Sequence, residues 1–327
     1  MAKRFSATTA AVAGWNLLGR EPASVAVWGV VLLVLMIAPL IGLYVPLIGD
    51  IARMGELNQN AAAQDPEAFA QVMAMQARMM LANLGTFVLQ VLAQTLVAAA
   101  IFRAVLEPQA RRGFYLRVGA SEGWMLLLTV IVVIGWYIAY FVAVILGFIV
   151  GFLAYFAAGK VAGFTLGILT GIGGLGAIVW ALLRLSMAWP MTFAGRRLVL
   201  FESWSLTKGS SLRLLGMALL ATLLVMALEM VVAVILLIVV GLSLAGSWQD
   251  LAKIAGPDEF LQRFWPWLVV AAPVLGLVQS VVLTIYIAPW ASAYQQLTAT
   301  AAGAAAAPPP PAPPEPPVES DPEATPA

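Results

Sequence analysis

The chain contains apolar stretches long enough to cross a lipid bilayer, and one of them shows the pattern clearly. Residues 219–240 read LLATLLVMALEMVVAVILLIVV, in which Glu229 is the only charged residue. A helix of about 20 apolar residues spans the hydrocarbon core of a membrane. Comparable runs recur along the chain, which is 62% hydrophobic and 10% charged, whereas soluble domains carry about 25% charged residues. A membrane protein is therefore predicted.

Six apolar segments are predicted to form transmembrane helices, at residues 23–48, 79–105, 124–156, 162–194, 212–245 and 264–292. Helices are required because a single segment in lipid must satisfy its own backbone hydrogen bonds. The predicted fold is an all-α, polytopic integral membrane protein. Its six-helix membrane domain occupies residues 23–298.

The two ends of the chain differ from this domain in composition. Residues 1–22 place Phe5, Val12, Trp15 and Leu18 on one helical face, which predicts an interfacial amphipathic helix. Residues 299–327 are rich in Pro and Ala, acidic, and free of Lys and Arg. A tail of this composition cannot form a packed core and is predicted to be disordered. It either binds a cytoplasmic protein partner or is simply solvated.

The basic residues predict the orientation. Of 17 Lys and Arg residues, 12 lie on one side of the predicted spans and 5 on the other. The larger set is Lys3, Arg4, Arg20, Arg103, Arg111, Arg112, Arg117, Arg184, Arg196, Arg197, Lys208 and Arg213. Because cytoplasmic loops carry an excess of basic residues, this side is predicted to be cytoplasmic. Both termini then lie inside, in the inner membrane of a bacterium.

Composition removes most chemistry from consideration. There is no Cys and no His, so thiol nucleophiles, thiolate metal sites and the commonest general base are absent. The GIGGLG stretch at 171–176 matches a dinucleotide fingerprint but lies inside an apolar span, where that motif has no meaning. Neither catalytic residues nor cofactors nor metals are predicted. A net charge of +1 also argues against a nucleic-acid partner.

Glycine recurs every four residues at Gly163, Gly167 and Gly171. A face of small residues lets another helix approach closely in a membrane. Packing within the bundle, a dimer face and a flexible kink are the three interpretations of this repeat.

Glu229 is predicted to lie near the middle of the bilayer, where an ionised carboxylate is costly. Gln90, Gln94 and Gln279 fall at similar depths on the second and sixth spans. These residues are predicted to form an intramembrane polar cluster with Glu229, either as interhelical hydrogen bonds or as a proton or ion relay. Arg184 is the other candidate partner, although it lies closer to the inner face and can extend to the interface instead.

A second candidate site precedes the fifth span, in the stretch FESWSLTKGSSLRLLG. Ser210 or Ser211 can cap the following helix, and Lys208 and Arg213 flank that cap. A helix N-terminus beside cations can hold a phosphate. These four residues are therefore the candidate lipid-headgroup site, with anionic phospholipid as the ligand. The alternative is that the cations only set the topology.

Two stretches, FRAVLEPQARRGFYLRVGASEGWMLL and RLSMAWPMTFAGRRLVLFESWSLTKGSSLRLLG, resemble a family of bacterial six-span membrane proteins, especially its alphaproteobacterial members. They are more distantly similar to the membrane domain found beside some glycerophosphodiester phosphodiesterases. The resemblance covers about residues 100–216. It implies a membrane fold and no activity, because this chain has neither the phosphodiesterase domain nor a His to support one.

The predicted function is therefore non-enzymatic, as a membrane scaffold or an anionic-lipid-interacting protein, with membrane lipids as partners and a homo-oligomer as one possible assembly. The alternative is a small transporter or channel that uses the polar cluster around Glu229. A transporter requires a water-accessible cavity that reaches Glu229, whereas a lipid-binding scaffold keeps that region dry.

Overall fold

The computed structural model of the chain describes residues 6–51, 53–54, 66–244 and 257–305. Within those ranges the regular elements are helical and no strand occurs. Five helical segments are long and apolar enough to cross a membrane: Pro22–Ile51, Pro66–Leu106, Arg112–Gly195, Ser211–Val239 and Phe264–Ala299. The prediction of an all-α, multi-pass membrane fold is confirmed to that extent.

The α-helices named below are α1 (Ala7–Ala11), α2 (Ala13–Arg20), α3 (Pro22–Leu32), α4 (Ala38–Tyr44), α5 (Pro66–Leu106), α6 (Ala120–Leu185), α7 (Ala188–Gly195), α8 (Glu202–Leu206), α9 (Ser211–Leu244) and α10 (Pro257–Ala305). Helix α10 is central, because α2, α3, α5 and α9 all pack against it. The largest core cluster joins α3, α5 and α10 through residues such as Trp28, Ile101 and Leu283.

The N-terminal helices α1 and α2 are docked on this bundle. Gly14 approaches α10 so closely that an added Cβ would lie 2.5 Å from the Ile285 Cα. Leu17 is buried beside it, whereas Val12 and Trp15 of the predicted apolar face are more than one-third exposed. The face that packs inward is therefore the one with small residues. Phe5 lies outside the described residues.

A π-helical turn, Leu33–Ile37, interrupts the first membrane segment just before Pro39. Proline has no N–H, and its ring clashes with the carbonyl of the residue four positions earlier, which here is Leu35. The backbone accommodates this loss by widening for one turn, which is a common origin of π-bulges and kinks.

Helix α6 is a hairpin whose two arms meet at Gly159, where the backbone has φ +86° and ψ 180°. The arms then pack through glycine. A Cβ added to Gly151 would lie 3.0 Å from the carbonyl oxygen of Gly163. A Cβ added to Gly147 would lie 3.3 Å from the carbonyl oxygen of Gly167. Gly163 and Gly167 therefore pack within the bundle, which is one of the three interpretations of the glycine repeat.

The start of α5 and the end of α10 differ from the predicted span at 79–105 and from the predicted tail at 299–327. Helix α5 begins at Pro66, well before the predicted span at 79–105, and has Glu67 in its first turn. Helix α10 contains Pro266, Pro273 and Pro289 and runs on to Ala305. The first residues of the predicted disordered tail, 299–305, are therefore helical, and residues 306–327 lie outside the described ranges.

Candidate functional site

The main candidate site is a cavity of about 550 Å³ between α5, both arms of α6, α7, α9 and α10. Most of its wall is apolar, with Phe102 and Met125 at the buried side. Leu215 and Leu219 of α9 and Val179 of α6 line its more exposed side. These three residues lie in segments that are long and apolar enough to span a membrane.

Five polar side chains in the cavity wall have no hydrogen-bond partner among the described residues. They are Gln94 and Thr95 of α5, Thr222 of α9, and Tyr286 and Trp290 of α10. The neighbouring polar groups are paired, since Trp189 Nε1 donates to Thr129 Oγ1 at 3.2 Å. Ser186 Oγ donates to the Leu183 carbonyl at 2.7 Å. Five of the eight polar side chains in the wall therefore lack a partner among the described residues.

A buried ion pair lies directly behind the cavity wall. Arg103 Nη2 of α5 donates to Glu122 Oε1 in the first turn of α6. The two residues are 4% and 7% exposed. Arg103 Nη1 also donates to the Tyr115 carbonyl, and the guanidinium lies 5.3 Å from the centre of the Phe193 ring. The arrangement joins the end of α5, the start of α6 and helix α7.

A second polar group extends this contact to the N-terminal helices. Glu21 accepts hydrogen bonds from Ser24 Oγ and from the Tyr115 hydroxyl, both at 3.3 Å, and forms an ion pair with Arg111 at 3.1 Å. Tyr115 itself has φ +65°, as the last of three successive left-handed residues that begin at Gly113. A bulky residue in that conformation is strained and needs surrounding contacts to hold it. The carboxylate of Glu21 is one such contact.

Sequence reasoning missed both carboxylates. Glu21 stands just before the first apolar segment and Glu122 lies in the first turn of α6. Acidic residues are common at helix N-termini, where they complement the helix dipole, so their positions had an ordinary explanation. Arg103 entered the sequence argument only as one of the topology-setting cations.

The candidate headgroup residues lie in and just after the turn between α8 and α9. Lys208 and Arg213 are exposed, and Ser210 and Ser211 are half-buried. Ser211 Oγ donates to the Thr207 carbonyl at 3.3 Å, so this hydroxyl is a donor rather than the predicted cap acceptor. No hydrogen bond or ion pair joins the four residues, within the described part of the chain, so the turn leaves both cations accessible.

The structure does not join Glu229 to Gln90, Gln94 or Gln279 by hydrogen bonds within the described residues. Glu229 and Gln90 are exposed, whereas Gln94 and Gln279 are half-buried. Gln94 is the member of this set that lines the cavity. The clustering of these four side chains stays a prediction.

Arg184, the other candidate partner of Glu229, is engaged elsewhere. Its guanidinium lies 5.5 Å from the centre of the Trp180 ring, and Nη1 is 3.5 Å from the Trp204 carbonyl oxygen. Its Nε is buried without a hydrogen bond. The Ser203 hydroxyl donates to the Arg184 carbonyl at 2.8 Å, which ties α8 to the end of α6.

No protein-family model, curated protein or solved structure matches the chain. The resemblance to bacterial six-span membrane proteins therefore stays a prediction, and the geometry of the site is the basis for a functional argument. Among the described residues, no group of acidic side chains could hold a metal ion.

Proposed function

We propose that the chain is a non-enzymatic inner-membrane protein that crosses the bilayer six times, keeps both termini in the cytoplasm and binds anionic lipid at its cytoplasmic end. The observation that carries this proposal is the surface at the end of the bundle that contains Arg103. Exposed cations and exposed apolar side chains alternate there along two loops. Val118, beside Arg117, is 90% exposed, and Leu212, beside Arg213, is 84% exposed.

A total of six membrane crossings is reached when each arm of the α6 hairpin is counted as one crossing. The chain reverses at Gly159, so the arms run in opposite directions and bring the start of α6 and the end of α7 to the same end of the bundle. That end also holds the start of α9, because Trp204 of α8 packs on Trp180 with ring centres 5.5 Å apart. An even number of crossings then places both termini on one side.

Such a surface suits an anionic membrane face. Apolar side chains can enter the headgroup region while neighbouring cations contact phosphate, each worth about 1 kcal/mol near an anionic leaflet. Three of the cations are already paired with carboxylates: Arg103, Arg111 and Arg197. Lys208 and Arg213 have no carboxylate partner in the described part of the chain, so their charge is available to a lipid.

The test is retention of phosphatidylglycerol by the purified protein, measured by native mass spectrometry. The Lys208→Ala/Arg213→Ala variant is expected to bind roughly 30-fold more weakly, because two contributions of about 1 kcal/mol each are lost. The matched control is Arg53→Ala/Lys160→Ala, which removes two exposed cations from the opposite end and is expected to bind like the wild type. Equal losses in both variants, or none in either, would show that these cations only set topology.

One observation favours the alternative, a transporter or channel. Glu229 lies seven residues beyond Thr222 on α9, which is nearly two turns, so both share one helical face. Thr222 lines the cavity. Because the chain contains no Cys, a Glu229→Cys variant carries a unique thiol. Its labelling by a membrane-impermeant maleimide would support an aqueous path, whereas protection would support the lipid-binding function.

A further inference from the structure

We propose that the cavity between α5, α6, α9 and α10 binds one uncharged, chain-bearing lipid whose carbonyl group accepts a hydrogen bond from Gln94. This site is separate from the basic surface described above. It requires that the helices sit in a membrane but not that the cytoplasmic cations bind anything.

The charge of the wall indicates the charge of the ligand. None of the residues that line the cavity is ionisable at neutral pH, and Arg103, which follows the wall residue Phe102, is paired with Glu122. Placing an isolated charge in a site of this kind would be costly. The cavity therefore excludes anionic headgroups and suits an uncharged molecule.

The unpaired polar groups indicate where that molecule carries its own polar atom. A side-chain amide offers two N–H donors, and each of the four other unpaired groups, Thr95, Thr222, Tyr286 and Trp290, offers one donor. Such groups are expensive to leave without partners in an apolar environment. Gln94 stands out because its amide is both half-buried and able to donate twice. A carbonyl oxygen is the acceptor that matches it.

The position and size of the cavity indicate how the ligand enters. The exposed side is lined by Val179, Leu215 and Leu219, which lie in segments apolar enough to span a membrane, so it would face lipid chains in a bilayer. The opposite side is closed by buried Phe102 and Met125. A volume of about 550 Å³ lies within the roughly 300–1,000 Å³ range of small-ligand sites. Water could pair with the polar groups but not with the apolar remainder of the wall, whereas an amphipathic molecule from the bilayer matches both parts.

Two kinds of lipid share this chemistry: a diacylglycerol, with ester carbonyls, and a prenylated quinone, with ring carbonyls. The experiment titrates dioleoylglycerol and, separately, decylubiquinone into the purified full-length protein, and native mass spectrometry counts the bound molecules. One equivalent of one of these probes is expected to bind, and the probe that binds identifies the source.

Three variants test the location. Ala218→Trp fills the cavity from α9 and is expected to abolish binding. Its control is Ala227→Trp, at an exposed position of the same helix nine residues further on, which is expected to bind normally. Gln94→Leu keeps the size of the side chain but removes one hydrogen bond, and is expected to weaken binding about tenfold. If Ala218→Trp fails to fold, Gln94→Leu still decides the question.

Binding of neither probe, or equal binding by the wild type and by Ala218→Trp, would overturn the proposal. Binding that Ala218→Trp abolishes but Gln94→Leu leaves unchanged would overturn the role of the Gln94 amide. The Lys208→Ala/Arg213→Ala variant is expected to retain full binding of the neutral probe, so the two proposals can fail independently of each other.

Discussion

Breaking the Arg103–Glu122 ion pair is expected to destabilise the protein far more than breaking an exposed pair of the same residue types. Replacing Glu122 by Ala leaves a guanidinium that is 4% exposed and has lost its only carboxylate partner in the described part of the chain. Removing one partner of a buried pair typically costs about 3–5 kcal/mol. The reciprocal change, Arg103→Met, leaves an unpaired carboxylate that is 7% exposed and is expected to cost a similar amount.

The chain supplies its own control. Arg197 and Glu202 form an ion pair at 3.1 Å, but their side chains are 68% and 55% exposed. Exposed pairs contribute about 0–1 kcal/mol, because water screens the attraction and two long side chains must be ordered. Glu202→Ala is therefore expected to change the free energy of unfolding by less than about 1 kcal/mol.

The assay is equilibrium unfolding of the purified protein in mixed micelles with increasing SDS, followed by the fluorescence of its 11 Trp residues. The double variant Arg103→Met/Glu122→Ala completes a mutant cycle. Because both charges leave together, its loss is expected to fall short of the sum of the single losses by about 2 kcal/mol or more. Additive losses, or a loss for Glu122→Ala no larger than that for Glu202→Ala, would refute the reasoning from burial.

Two further predictions concern the α6 hairpin and the topology. Gly163→Ala is expected to destabilise the hairpin by about 1–3 kcal/mol, because the new Cβ would lie 2.7 Å from the Tyr155 Cβ. The control Gly173→Ala has no neighbouring atom within 4 Å of its new Cβ and should be tolerated. Both are measured in the same SDS titration. With no native Cys in the chain, Glu107→Cys should react with an impermeant thiol reagent only from the cytoplasmic side and Lys160→Cys only from the opposite side; labelling of both from one side would contradict six crossings.

The helices could be predicted from the sequence because each membrane segment carries its own signal. Length and apolar composition are local properties, so they place α5, α9 and α10 without knowledge of their neighbours. The reversal in α6 was predictable for the same reason, since Gly159 and Lys160 separate two apolar runs. The close contact of Gly163 with the other arm also follows from a repeat that is visible in the chain.

The site could not be predicted, because it depends on which helical faces meet. The sequence argument assigned Glu229 and Gln90 a common depth in the bilayer, but depth says nothing about rotation around the helix axis, and both side chains are exposed. Gln94, one turn from Gln90, points into the cavity because α5 turns that face toward α6 and α9. Glu122 of α6 forms an ion pair with Arg103 of α5, and the sequence periodicity of neither helix predicts this contact.

The ion pairs also divide the cations that are predicted to be cytoplasmic into groups that a count of basic residues treats alike. Arg103 and Arg111 each hold a buried carboxylate, Glu122 and Glu21, and so fasten α5 and the loop after it to the rest of the bundle. The Arg103–Glu122 pair is buried, and the wall of the neighbouring cavity contains no ionisable side chain at neutral pH. Lys208 and Arg213 have no carboxylate partner in the described residues, and in the proposed function their charge is available to anionic lipid. The two proposed sites therefore differ in charge, with an uncharged cavity within the bundle and two cations without carboxylate partners at its end.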